Sequence, residues 1–224
     1  MIAFEEPTVY QFTEVALTVT LLVVSLGIHE AAHGWVALKC GDTTARDLGR
    51  ITLNPIVHID PFLTIVLPIV MKLTTGYVFG GAKPVPVNYY NLRHPLRDMA
   101  LVALAGPLSN FLLAVFFFLC HKVLVDDLGV WQEGQLGPNV LTIVTVSNLM
   151  LATFNLLPVP PLDGSRVMAW LLPSGMREAY ARLESLGLVL VFLLVFGVPA
   201  VSRMVNQTVV VLYNGIDRFL GGLW

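Results

Sequence analysis

The sequence predicts an all-α polytopic membrane protein: a helical bundle of about four to six transmembrane segments, with a re-entrant or β-hairpin-like element between the first two spans. Three observations carry this. Hydrophobic residues make up 56% of the 224 positions and charged residues only 12%, where a soluble domain carries about a quarter charged. Mean hydropathy is +0.76. The apolar residues are gathered into stretches long enough to cross a bilayer, which takes roughly 17–25 residues. The net charge of −2 and the lack of a basic run argue against nucleic acid as a partner.

The first stretch, residues 15–38, contains His29, Glu30 and His33 but is otherwise apolar. Met1 to Gln11 holds two Glu and no Lys or Arg. A secretory signal needs a basic start, so this stretch is expected to remain in the mature protein. Residues 62–71 are apolar but too few to cross, with Pro68 inside. They fit a re-entrant or interfacial element. Residues 83–91 read as extended, because Pro84 and Pro86 alternate as on an edge strand. Residues 99–120 span without a charge, and residues 140–157 span again. Residues 183–201 form a further span, with Gly197 and Pro199 marking a contact or kink. The tail, 205–224, is interrupted by Asp217 and Arg218 and reads as a short span or an interfacial helix. The whole is expected to be one intramembrane domain, 1–224, with its core at about 15–170 and a C-terminal span and tail at 183–224.

Basic residues mark the cytoplasmic side. Lys39, Arg46 and Arg50 follow the first span, and Lys83, Arg93 and Arg97 precede the next. Both groups are therefore expected inside, and the chain between them does not cross. The third span then returns inward and delivers Asp163 to the depth of His29 and His33.

Those residues carry the chemistry. In His29-Glu30-Ala31-Ala32-His33 the two histidines are four apart, so on a helix both imidazoles share one face and reach one zinc ion. Glu30 stands beside them to take a proton from a water. Ionisable residues in a span are expensive and usually functional. A catalytic zinc needs a third protein ligand and an open position. Gly34-Trp35-Val36 breaks the metzincin pattern, and His121 lies at the outer end of a span. Asp163 stands just past a span on the correct side, after Pro158, Pro160 and Pro161 have ended any regular helix. Its alternative role is a helix N-cap. His58 and Asp60 could form an accessory site, though Asp60-Pro61 is also a turn initiator. Cys40 and Cys120 form no C-x-x-C pair and read as apolar residues.

The H-E-x-x-H span together with Asn155-x-x-Pro158-x-x-x-x-Asp163-Gly164 resembles the site-2 protease family of intramembrane zinc metalloproteases. The segments at 49–61, 81–88 and 105–110 resemble its compact bacterial and archaeal branch, without a PDZ or CBS domain. The resemblance implies hydrolysis of peptide bonds in membrane-embedded substrates, single-span proteins or signal peptides. It implies one zinc held by His29, His33 and Asp163, Glu30 as general base, and Asn155 at the developing oxyanion. It also implies a prokaryotic inner membrane with the site toward the cytoplasm. Lys83, Pro84, Val85, Pro86, Val87 and Asn88 are the expected substrate-binding strand, pairing with an unwound substrate. The competing reading is a non-hydrolytic metal sensor or transporter with the same ligands.

Overall fold

The computed structural model describes residues 9–66, 70 and 81–221. Among these every regular element is helical. Helix α1 runs Val9–Cys40, and α2 is the single turn Thr44–Asp47. A 3₁₀ turn, Pro55–His58, and a wide helical turn, Pro61–Val66, follow. After a non-helical stretch at 81–88 and the turn Tyr89–Asn91, α3 runs Pro95–His121 and continues as the wide turn Lys122–Asp127. Helix α4 is Leu136–Asn155, α5 is Gly164–Leu171 and α6 is Ser174–Arg182. Helix α7 is Gly187–Phe192 and α8 is Pro199–Gly221.

By length and composition, the helices at Val9–Cys40, Pro95–Asp127 and Leu136–Asn155 can each cross a membrane. The segments Val189–Val195 and Pro199–Leu220 make a fourth span only if counted together, and they are bent by 76°. The described structure therefore carries three or four candidate spans, at or just below the low end of the four to six expected. The stretch at 183–201 is not one helix. Its chain opens into a wide turn at Leu193–Gly197 and restarts at Pro199. Gly197 is a poor helix former, and Pro199 lacks the N–H that a continuous helix needs but suits the first turn of a new one.

Only part of the expected re-entrant stretch lies within the described residues: 67–69 and 71 fall outside them. No β-strand is present among the described residues, and the hairpin-like element expected between the first two spans lies partly outside them, at 67–69 and 71–80. Pro84 and Pro86 bring no N–H to a ladder. The backbone of this stretch is held by side chains and by a turn carbonyl instead, as described below.

The three long helices bury polar and small residues and expose large apolar ones, the arrangement a lipid-facing bundle requires. On α1 the buried residues include Ser25, Gly27, His29, Ala31, His33 and Gly34. On α3, Ala100, Ala103, Pro107, Asn110 and Ala114 recur at the helical period and are buried. Leu101, Leu108, Leu112 and Phe116 of the same helix are exposed. The small inward residues let α3 pack against α1, α4 and α5, which makes it the centre of the bundle. On its far side α8 closes against α3 and α4, with Val209 and Ile216 meeting Ala114, Phe118 and Leu149.

Candidate metal centre

His29 and His33 sit one helical turn apart on the inward face of α1, 5% and 8% exposed. Their Nε2 atoms face each other at 3.0 Å. Asp163 stands opposite, with Oδ2 3.3 Å from His29 Nε2 and Oδ1 3.5 Å from His33 Nε2. Among the described residues these three form the one group of His, Cys, Asp or Glu side chains close enough to share a metal ion.

The arrangement fits zinc on two counts. Ligand bonds of about 2.0–2.1 Å at tetrahedral angles put ligand atoms about 3.3 Å apart, close to the three separations observed. The polar groups are also incomplete without a cation. Each imidazole has Nδ1 beside an acceptor: His29 beside Asn110 Oδ1 at 2.5 Å, His33 beside the Val102 carbonyl at 2.7 Å. With protons on Nδ1, the Nε2 lone pairs point at each other and at a carboxylate. Asp163 Oδ2 is itself buried with no hydrogen-bond partner.

Local structure explains how the three side chains meet. After α4 the chain turns through 156–163 and doubles back. Gly164 allows this, because a Cβ there would come within 2.1 Å of the Leu156 carbonyl oxygen. Asp163 occupies the cap position of α5 but makes no capping hydrogen bond; its side chain turns to the histidines instead. Gly106 of α3 gives the imidazoles their room, since a Cβ there would lie 2.5 Å from atoms of both rings. Sequence reasoning gave Gly106 no place at the metal. It missed Asn110 and Val102 altogether, although Asn110 closes the Ala105-Gly106-Pro107 segment that carried part of the resemblance.

Glu30, Asn155, Pro84, Val85, Val87 and Arg166 line the same cleft as the histidines and Asp163, a space of about 370 Å³. Glu30 Oε2 accepts the Val85 N–H at 2.8 Å. Asn155 faces the cleft while its Nδ2 donates to Leu151 O at 3.0 Å. Of the six residues expected to bind substrate, Pro84, Val85 and Val87 are in the wall. Lys83 instead donates its N–H to His58 O at 2.8 Å, and Asn88 caps the turn at Tyr89–Asn91.

Two buried charged residues hold this segment: Arg50, which the sequence marked only as a basic residue of the cytoplasmic side, and Asp42, to which it gave no role. Arg50 Nη2 donates to the carbonyls of Lys83 at 2.9 Å and Pro84 at 3.4 Å. Asp42, fully buried, accepts from Asn88 N–H, Asn91 Nδ2, Thr44 N–H and Thr44 Oγ1. Burial alone would raise the Asp42 carboxyl. These hydrogen bonds outweigh it and hold its pKa below the ordinary carboxylate value.

His58 and Asp60 lie apart from the metal group. His58 is buried, with Nε2 beside Thr52 O at 3.1 Å. Asp60 Oδ1 accepts from Phe62 N–H at 2.9 Å, the bond of an Asx turn.

The profile of Peptidase family M50 matches residues 17–132 and 129–198. A Bacillus subtilis protein, YwhC, is 41% identical over 194 residues, covering 85% of this chain and 84% of the relative. Rip2 of Mycolicibacterium smegmatis is 29% identical, covering 88% and 74%. MJ0611 of Methanocaldococcus jannaschii is 30% identical, covering 71% and 73%. All three carry the name "Putative zinc metalloprotease". No solved structure matches the chain. The chain belongs to peptidase family M50, the site-2 protease family, and is an integral-membrane, site-2 protease-like peptidase.

Proposed function

We propose that this protein is an intramembrane zinc metalloendopeptidase that holds one zinc through His29, His33 and Asp163. The observation that carries the reading is the convergence of two imidazole Nε2 atoms and an unpartnered carboxylate oxygen on one point, with Glu30 in the same cleft. Zinc held there by His29, His33 and Asp163 would supply Lewis-acid polarisation of a scissile carbonyl and would lower the pKa of a coordinated water to about 7.

The chain's own residues do the rest. Glu30 takes the proton of the attacking water and returns it to the leaving amine. Val85 N–H bonds one oxygen of that carboxylate, which leaves the other free to move the proton. Asn155, in the cleft wall, donates to the oxyanion as it develops, an interaction worth more in a dry site than in water. The segment 84–87 lies along the cleft and presents backbone groups to a substrate whose helix has unwound, since a helical amide is closed to attack. The substrate class is therefore membrane-embedded segments, single-span proteins or leftover signal peptides. Lys39, Arg46 and Arg50, the basic residues that follow the first span, support a site toward the cytoplasm of a prokaryotic inner membrane.

The test is cleavage of a single-span substrate by detergent-purified protein. Activity should vanish on chelation and return with zinc, and Asp163→Ala should hold no zinc. Chelator-resistant cleavage, or an Asp163→Ala variant with wild-type zinc content, would overturn the assignment.

A further inference from the structure

We propose that Asn110 is a positioning residue for the metal site: held by Asn148 and Ser25, it fixes the tautomer and orientation of His29. This rests on the reading of His29 as a zinc ligand. The three residues form a closed hydrogen-bond relay whose direction is set at one end. Ser25 Oγ donates to Leu21 O at 2.9 Å, so its oxygen is left to accept. Asn148 Nδ2 donates to that oxygen at 3.1 Å and to Val144 O at 2.9 Å. Its amide nitrogen is thereby turned toward two acceptors, and its Oδ1 faces the other way. Asn110 Nδ2 donates to that Oδ1 at 2.9 Å. Asn110 therefore presents its own Oδ1 to His29 Nδ1, 2.5 Å away.

An amide oxygen only accepts. His29 must then carry its proton on Nδ1, which leaves the Nε2 lone pair aimed at His33 and Asp163. Ser25, Asn110 and Asn148 are 1%, 0% and 0% exposed, so no water competes for these groups. The relay leaves α1 at Ser25, passes through α4 and α3, and returns to α1 one turn later at His29. His33 has a shorter version of the same device in the Val102 carbonyl, which also can only accept. Outer partners of this kind fix the ring and raise ligand basicity, and their loss typically costs 10–100-fold in metal affinity.

Asparagines buried between spanning helices also act simply as interhelical glue, so the test must separate the two roles. Zinc affinity by chelator competition and thermal unfolding of the zinc-free protein are measured for wild type, Asn110→Leu and Asn110→Asp. Asn110→Leu should bind zinc 10–100-fold more weakly. Asn110→Asp should stay within severalfold of wild type, because one carboxyl oxygen still accepts from His29 Nδ1–H while the other, protonated in this buried place, still donates to Asn148 Oδ1. Glue alone would lower the unfolding temperature of both variants and leave zinc affinity unchanged, which would overturn the proposal. If Asn110→Leu does not fold, ¹⁵N-histidine NMR of zinc-loaded wild type decides. A proton on His29 Nδ1 is expected, and zinc on Nδ1 would contradict it. Wild type that takes up no zinc would sink the ligand reading itself, whereas zinc binding indifferent to Asn110 would sink only this inference.

Discussion

Val85 donates its backbone N–H to Glu30 Oε2 at 2.8 Å, joining the extended segment at 84–87 to the H-E-x-x-H helix. The segment keeps this place because Arg50 grips its carbonyls and Asp42 grips its far end at Asn88. The proposed base, the candidate metal group and the candidate substrate track are thereby built as one unit.

Arg50→Met should loosen that unit without touching the metal. Charge-assisted hydrogen bonds contribute about 1.5–3 kcal/mol each. Cleavage of a membrane substrate should fall about tenfold or more, with zinc content unchanged. Arg50→Lys should recover only part of the loss, since an ammonium lacks the guanidinium's planar donor set. Wild-type cleavage in Arg50→Met would remove the segment from the mechanism.

Gly106→Ala should disrupt the metal site. In a helix interior this change ordinarily favours folding by up to about 1 kcal/mol. Here the new Cβ would stand 2.5 Å from both imidazoles, and their Nδ1 bonds leave them little freedom to move. Zinc affinity should drop at least tenfold although helicity by circular dichroism is retained. Unaltered zinc affinity would mean the rings do not sit where the structure has them.

Asp42 gives the acid side of the stability profile a specific cause. Its folded pKa lies below the ordinary value, so it contributes stability above the unfolded pKa of about 4 and loses it as pH falls further. Asp42→Ala should be less stable at pH 7 by on the order of 2 kcal/mol, since it leaves buried donors unpaired. The difference from wild type should shrink below pH 4. A difference that held constant from pH 7 to pH 3 would argue that Asp42 is not the titrating group.

Much of the site was legible in the sequence because its signals are local. The spacing of His29 and His33 is a helical turn, and three prolines before Asp163 announce an unwound chain. The three strongest spans follow from hydropathy alone. What was not legible depends on contacts between distant positions. Asn110 and Asn148 look like any polar residue in a span until the helices are packed, and Gly106 looks like a packing glycine until the imidazoles are beside it. Arg50 and Asp42 read as loop charges because their partners are backbone groups 33 and 46 residues away. The stretch at 183–201 is bent where Gly197 and Pro199 stand, and hydropathy, which sums over a window, does not say how the two pieces are arranged.

The most direct test of the central claim compares zinc content and cleavage of a single-span substrate for wild type and Glu30→Gln. Glutamine keeps the size of Glu30 and can still accept the Val85 N–H, but it cannot take a proton. General base catalysis is worth roughly 10²–10⁴-fold. The account predicts that Glu30→Gln holds as much zinc as wild type and cleaves at least a hundredfold more slowly. A Glu30→Gln protein that binds zinc and cleaves, or rescues a cellular phenotype as wild type does, would contradict it and favour a non-hydrolytic metal-binding role.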